Sequence, residues 1–185
     1  VLRQWSTLHP EFAFLPRKFK IAISGAREDR AAIAWHDIGL QLKKNEAGEV
    51  GFEVLVGGGM GRTPIIGTVI SEFLPWQQIL VYLEAIVRVY NRYGRRDNLY
   101  KARIKILVKA LGVAEFKRQV EEEWTFGKGG PNTLTEAELT RVAGHFTTPA
   151  YETLPADDAG YVSQRAADPA FAAWARRNVL AHRQP

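Results

Sequence analysis

Apolar and polar positions alternate loosely from Arg17 to Ser24 before Ser24-Gly25 breaks the pattern, which predicts a strand over 17–24 closed by a turn. Two further segments have the same character, DIGLQLKK over Asp37–Lys44 and GFEVLVGGG over Gly51–Gly59. The connection Asn45–Glu49 is short enough to fold them as an antiparallel hairpin. Between the first and second strands, Glu28 to Trp35 reads as a short helix.

Past Pro64 the period lengthens. Leu74–Gly94, LPWQQILVYLEAIVRVYNRYG, is apolar on most faces and long enough for a core helix, with Pro75 near its first turn and Gly94 at its end. From Tyr100 the apolar residues Tyr100, Ile104, Leu107, Val108 and Leu111 recur at i, i+4, i+7, i+8 and i+11. They predict an amphipathic helix begun near Asp97 and stopped by Gly112, with Lys101, Lys105 and Lys109 on the opposite face. Phe116, Val120 and Trp124 at successive turns mark a third helix.

Gly127–Asn132, GKGGPN, has the composition of a linker. The pattern therefore divides the chain into a domain over 1–126 and a linker with a helical extension over 127–185. Within the extension Thr135 and Glu138 have capping-box spacing, and Asp168-Pro169 reads as an N-cap followed by proline, opening a helix to about His182. The irregular stretch between them is expected to wrap the core or reach toward a further domain. The fold class is α+β: a mixed or antiparallel sheet packed with helices, plus the C-terminal extension.

At 185 residues and 46% hydrophobic content the chain can bury a core of its own. Lys and Arg exceed Asp and Glu by 25 to 20, which suits an anionic ligand, nucleic acid or simple solubility. The excess is concentrated over 88–109, where Arg88, Arg92, Arg95, Arg96, Lys101, Arg103, Lys105 and Lys109 face Asp97 alone. Cysteine is absent, which excludes disulfides, zinc–thiolate sites and cysteine-ligated iron–sulfur clusters held by this chain itself. No stretch approaches the roughly 18 to 20 apolar residues of a membrane span, and the N-terminus lacks the order of a signal peptide, so a cytoplasmic protein is expected. The chain opens on Val1 and its one methionine is Met60; it reads as a piece of something longer.

Three features carry candidate chemistry. In a strand, Lys18 and Lys20 would share one face with their bases roughly 6.6–7 Å apart, and Arg17 and Phe19 would face the other way. Two ammonium groups held so close suit a small oxyanion between them, although a strand edge guarded by lysines is the other reading. The glycine-rich loop Gly57, Gly58, Gly59, Met60, Gly61, Arg62, Thr63 lets backbone N–H groups approach a ligand. It has neither dinucleotide-fingerprint spacing nor the Gly-Lys-Ser/Thr of a phosphate-binding loop, and a floppy turn is the alternative. Tyr90–Lys105 mixes basic and aromatic residues, as a nucleic-acid surface does, while Arg92, Arg95 and Arg96 equally suit a helix C-terminus. His9, His36, His145 and His182 lack metal-ligand spacing and are assigned to packing or solvent. Glu121, Glu122 and Glu123 read as a solvated helix face.

Taken together, LPRKFKIAISG, HDIGL, GFEVLVGGGMGRTP, YNRYGRRDNLYKARIKILV and GVAEFKRQVEEEW resemble, in order and over roughly residues 9–126, the haem-and-cluster domain of the sirohaem-dependent sulfite and nitrite reductases. The resemblance implies part of an enzyme that reduces sulfite to sulfide, or nitrite to ammonia, by six electrons at a sirohaem iron coupled to a 4Fe-4S cluster. It implies Lys18 and Lys20 as catalytic and substrate-binding lysines, with Arg17 beside them. It places Gly57, Gly58, Gly59, Met60, Gly61, Arg62 and Thr63 against the sirohaem carboxylates, with Asn91, Arg95, Arg96, Lys101 and Arg103 as further candidates. Nitrite reductases of the family tend to carry asparagine at the position of Lys20, so the Lys-Phe-Lys form leans toward sulfite.

The departure is the missing cysteines. In the family they lie downstream, so the resemblance implies a first-half fragment whose cluster ligands, electron donor (ferredoxin or a flavoprotein subunit) and remaining substrate contacts belong to the rest of the polypeptide. The isolated chain is then expected to be inactive. Two rival classes are a basic nucleic-acid-binding module using 88–109 and a non-catalytic structural repeat.

Overall fold

Ile38, Leu40, Val54, Val56, Ile70 and Leu74 are all at most 1% exposed, and they come from three neighbouring strands of one sheet. The computed structural model describes residues 1–150, 152, 155 and 158–180. Its sheet has the order β1 (Ile21–Ser24), β2 (Ile38–Lys44), β3 (Val50–Val56), β4 (Thr68–Pro75). β1 runs parallel to β2, whereas β2–β3 and β3–β4 are antiparallel, so the sheet is mixed. Register follows burial: Ile38 pairs with Val56 and Leu40 with Val54, placing four apolar side chains on one face.

Two short helices, α1 (Leu2–Thr7) and α2 (Pro10–Ala13), precede the sheet. The buried face is covered by α3 (Ile79–Tyr93), whose residues from Ile79 to Tyr90 are buried except Glu84 and Arg88. α4 (Ile104–Leu111) and α5 (Val113–Gly127) complete the layer, with Phe116 and Val120 fully buried. Burying a side chain such as Phe116 contributes about 2 kcal/mol. Gly112, at φ +83°, ends α4 and is followed directly by α5; the left-handed backbone is what glycine supplies there. On the opposite face Ala22, Leu55 and the half-buried Val69 pack with Ile33 and its neighbours.

Several expectations need correction. The strand at 17–24 begins only at Ile21, so Arg17–Lys20 approach the sheet as irregular backbone. No helix forms over 28–35; a single 3-10 turn, Ile33–Trp35, is held by Asp29, whose carboxylate accepts from the backbone amides of Ala31 and Ile33. Leu74 and Pro75 end β4 instead of opening the core helix, and Pro75, unable to donate, closes the ladder. The helix expected from Asp97 is split: a 3-10 turn, Leu99–Lys101, precedes α4, which leaves Tyr100 84% exposed. The acidic run is not a solvated face throughout, since Glu121 accepts from the Tyr82 hydroxyl at 2.8 Å and Glu123 accepts from Arg92 at 2.6 Å.

Residues 131–134 follow α5 and are pinned to the same unit: Leu134 N–H donates to the Gln77 carbonyl, and Asn132 accepts from the Trp5 indole and donates to Glu84. α6 (Glu136–Ala143) is capped by Thr135. The compact unit thus extends through Phe146, past the 126/127 boundary read from composition.

The second unit begins at Thr147 and contains α7 (Ala159–Ala167) and α8 (Pro169–Asn178), capped by Asp158 and Asp168. α7 shares only Ala159 and Gly160 with the stretch expected to be irregular, and the rest of it lies over 161–167, where no element was expected. Within this hairpin Tyr161 meets Phe171 edge-on and Phe171 stacks on Trp174. α8 stops at Asn178, and His182, the expected helix end, lies outside the described residues. No helix among the described residues is long and apolar enough to cross a membrane.

Candidate functional site

Asp37 precedes β2 and is 1% exposed. A buried carboxylate is costly unless it is hydrogen-bonded, and this one has three donors: Arg103 donates to Oδ1 from Nε at 3.1 Å and from a terminal nitrogen at 2.8 Å, and the Lys20 amide donates to Oδ2 at 3.0 Å. Its carbonyl accepts from Gly57 at 3.0 Å. One residue thereby fixes the basic stretch, the N-cap of α4 and the first glycine of the loop.

Around this frame lies a cavity of about 260 Å³ walled by Arg17, Lys18, Lys20, Trp35, His36, Met60 and Arg103. The three cations of the basic stretch converge on it, so Arg17 is not turned away as strand alternation predicted; it donates to the Leu99 carbonyl at 3.3 Å. Phe19 does turn away and packs near Tyr90, with ring centroids 5.8 Å apart. Among the described residues no carboxylate lies within salt-bridge distance of Arg17, Lys18 or Lys20, in contrast to Arg103. His36 sets its Nδ1 2.8 Å from the Ala32 carbonyl, an acceptor to which the ring N–H donates. A second cavity of about 600 Å³ shares Arg17 and Lys18 and adds Arg3 to an apolar wall of Leu2, Phe12 and Leu15. Apolar surface beside cations suits an organic anion with a hydrophobic body.

The glycine loop is built, not floppy. A Cβ on Gly58 would stand 2.3 Å from the Ala34 carbonyl oxygen and 2.6 Å from that of His36, so backbone passes where a side chain would be. Gly57 sits at φ +80°. Gly59 and Ile65 exchange reciprocal backbone hydrogen bonds at 2.9 Å, closing the neck. Lys105, expected on the outer face of its helix, is 7% exposed and donates to the Thr63 and Met60 carbonyls at 2.7 and 3.2 Å. Burial, and then the charge of Arg103, hold its pKa below the ordinary lysine value, with Asp37 opposing. Among the described residues the amides of Met60, Gly61, Arg62 and Thr63 donate to no protein acceptor.

The remaining candidates divide. Asn91 donates to the carbonyl and carboxylate of Glu11, at 2.7 and 2.9 Å, and accepts from Arg96, whose guanidinium lies 4.9 Å from the Tyr90 ring centroid. Arg95 pairs with Asp97, and Lys101 is exposed in the 3-10 turn. None of these four lines the cavity, whereas Arg103 does. Asp37, His36, Trp35 and Lys105 were missed by sequence reasoning; the one local signal was a histidine and an aspartate set directly before a strand.

Among the described residues no cluster of His, Asp or Glu could hold a metal ion, and without cysteine the chain offers an iron–sulfur cluster no thiolate ligand. Cations, unengaged amides and an apolar wall do fit a carboxylate-rimmed macrocycle.

The sequence model of the nitrite and sulphite reductase 4Fe-4S domain matches residues 1–128. A ferredoxin sulfite reductase of Synechococcus elongatus is 40% identical over an alignment of 122 residues, with 62% of this chain and 19% of that protein covered. The haemoprotein beta-component of an NADPH sulfite reductase from Chromohalobacter salexigens is 36% identical over 116 residues, covering 58% of this chain and 20% of the relative. The solved structure of Mycobacterium tuberculosis NirA protein is similar at a TM-score of 0.56 and 32% identity, covering 63% of this chain and 21% of that one. The chain spans about a fifth of the length of these relatives.

Proposed function

The chain belongs to the nitrite and sulphite reductase 4Fe-4S domain family, and on that premise we propose that it supplies the oxyanion-binding and part of the sirohaem-binding surface of a sulfite reductase. The observation that carries this reading is the convergence of Arg17, Lys18 and Lys20, free of carboxylates among the described residues, with Arg103 on one cavity. When bound, sirohaem supplies the iron at which sulfite is reduced by six electrons. The chain's own part is electrostatic and protonic. Lys18 and Lys20 hold the oxyanion and donate protons as oxygen departs, and Arg17 adds charge from the side of the second cavity. Arg103, Arg17 and the amides of the glycine loop receive carboxylates, with Arg62 at the loop's tip as a further cation. Asn91, Arg95, Arg96 and Lys101 are left a peripheral part, because their contacts lie away from the cavity.

Sulfite is preferred to nitrite as the substrate on account of Lys20, a second ammonium at the position where the resemblance puts asparagine in nitrite reductases. The cluster, the rest of the substrate contacts and the docking of a ferredoxin or flavoprotein donor are assigned to chain outside this one. The chain alone, mixed with sirohaem, sulfite and a low-potential chemical reductant, should yield no sulfide; sustained sulfide formation would refute the division of labour. A nucleic-acid role for 88–109 is disfavoured, since Arg88, Arg92, Arg95 and Arg103 each face a carboxylate and Lys105 is buried, which leaves no continuous stripe for phosphates.

A further inference from the structure

Lys105 lies in the first turn of α4, and its ammonium is spent on two carbonyls of a single loop, those of Met60 and Thr63. A nearly buried cation is tolerated where fixed acceptors replace its water, so the contact constrains the loop as well as the lysine. Peptide planarity carries the constraint to the other side. The Met60 carbonyl and the Gly61 N–H lie on opposite edges of one trans peptide plane; drawing the carbonyl inward to Lys105 turns that N–H outward. On its outer side Gly61 is open, for a Cβ there would meet nothing within 4 Å, and its φ of +107° explains the glycine by conformation instead of by crowding. Met60, the other half of the same peptide, lines the cavity with Lys18, Lys20 and Arg103.

We propose that Lys105 is a positioning residue that latches the Met60–Thr63 loop from inside and so presents the Gly61 N–H to an anionic group of the ligand in the cavity. The proposal rests on the anion-site reading given above. It assigns Lys105 to the loop's shape and Gly61 to the ligand, two roles separable by experiment.

Backbone NMR on the full chain tests it, using wild type, Lys105→Met and Lys105→Arg. Without ligand, Lys105→Met should speed hydrogen exchange at the Gly59 and Ile65 amides, which close the loop's neck, by at least about tenfold, the effect of losing even one of its two charge-assisted hydrogen bonds. Val54 in the sheet should keep its protection, and Lys105→Arg, which retains a charged donor, should restore most of the loss. With sirohaem added, the Gly61 amide resonance should move downfield in wild type and Lys105→Arg but not in Lys105→Met. Wild-type exchange at Gly59 and Ile65 in Lys105→Met overturns the latch. Should Lys105→Met fail to fold, the wild-type chain decides: a through-hydrogen-bond correlation from Lys105 Nζ to the Met60 and Thr63 carbonyl carbons supports the proposal, and its absence overturns it. Failure of wild type to take up sirohaem, with exchange as stated, faults the cofactor reading and not the latch.

Discussion

Asp37 and Arg103 form an ion pair in which both guanidinium contacts fall on one carboxylate oxygen, leaving the other for the Lys20 amide. The two residues are 66 positions apart, and the pair joins the approach to β1, the start of β2 and the N-cap of α4. Its acid is buried and its base is 20% exposed, so the bond is screened little from the acid's side.

Asp37→Ala should therefore lower stability by about 3 kcal/mol, the cost of stranding a largely buried guanidinium. Urea unfolding should report this as a fall in midpoint at constant slope. Adding Arg103→Met should cost much less than the sum of the single changes; strict additivity would mean that the pair is not coupled.

Gly58→Ala places a methyl group where the Ala34 and His36 carbonyls already stand. A loss of about 3 kcal/mol is expected from the forced backbone shift, whereas Gly48→Ala, at the tip of the β2–β3 hairpin where nothing lies within 4 Å, should lose only the cost of its φ of +81°, about 1 kcal/mol. Equal midpoints for the two variants would contradict the packing argument.

Glu11 gives a pH signature. Burial alone would raise its pKa, but hydrogen bonds from Asn91 and Arg88, with the charge of Arg88, hold it below the ordinary glutamate value. Its folded pKa lies under its unfolded one, so its contribution is complete above the unfolded value and is lost as pH falls through the folded pKa. Acidification below the ordinary carboxylate range should loosen α2 from α3 and shift the fluorescence of Trp5, whose ring packs on His9 and Phe12. Glu11→Gln should remove this transition; an unaltered acid profile would sink the assignment.

Much of the sheet was legible in period and punctuation. Ile38–Lys44 and Val50–Val56 follow from alternation and a short connection, and Asp168-Pro169 announced a helix start by its own chemistry. β4 was missed because Phe73, Leu74 and Pro75 run without a break into the apolar helix, and proline fits both a strand's last residue and a helix's first turn. The basic stretch was legible as charge but not as geometry, since alternation applies only from Ile21 onward. Asp37 and Lys105 were illegible for a different reason. Their partners, Arg103 and the Met60 and Thr63 carbonyls, are brought near only by the packing of α4 on the sheet, and a lysine drawn inward to bond a loop carries no periodic mark.

That Arg17, Lys18 and Lys20 together make a site for a carboxylate-bearing macrocycle and its oxyanion is tested most directly by titrating the chain with sirohaem, followed by visible absorption. Saturable binding is expected in wild type, weakened about tenfold or more in Arg17→Ala/Lys18→Ala/Lys20→Ala. The unfolding free energy of that variant should stay within about 0.5 kcal/mol of wild type because the three side chains are exposed. Equal affinity of the two proteins for sirohaem, or no saturable binding by wild type, would contradict the account.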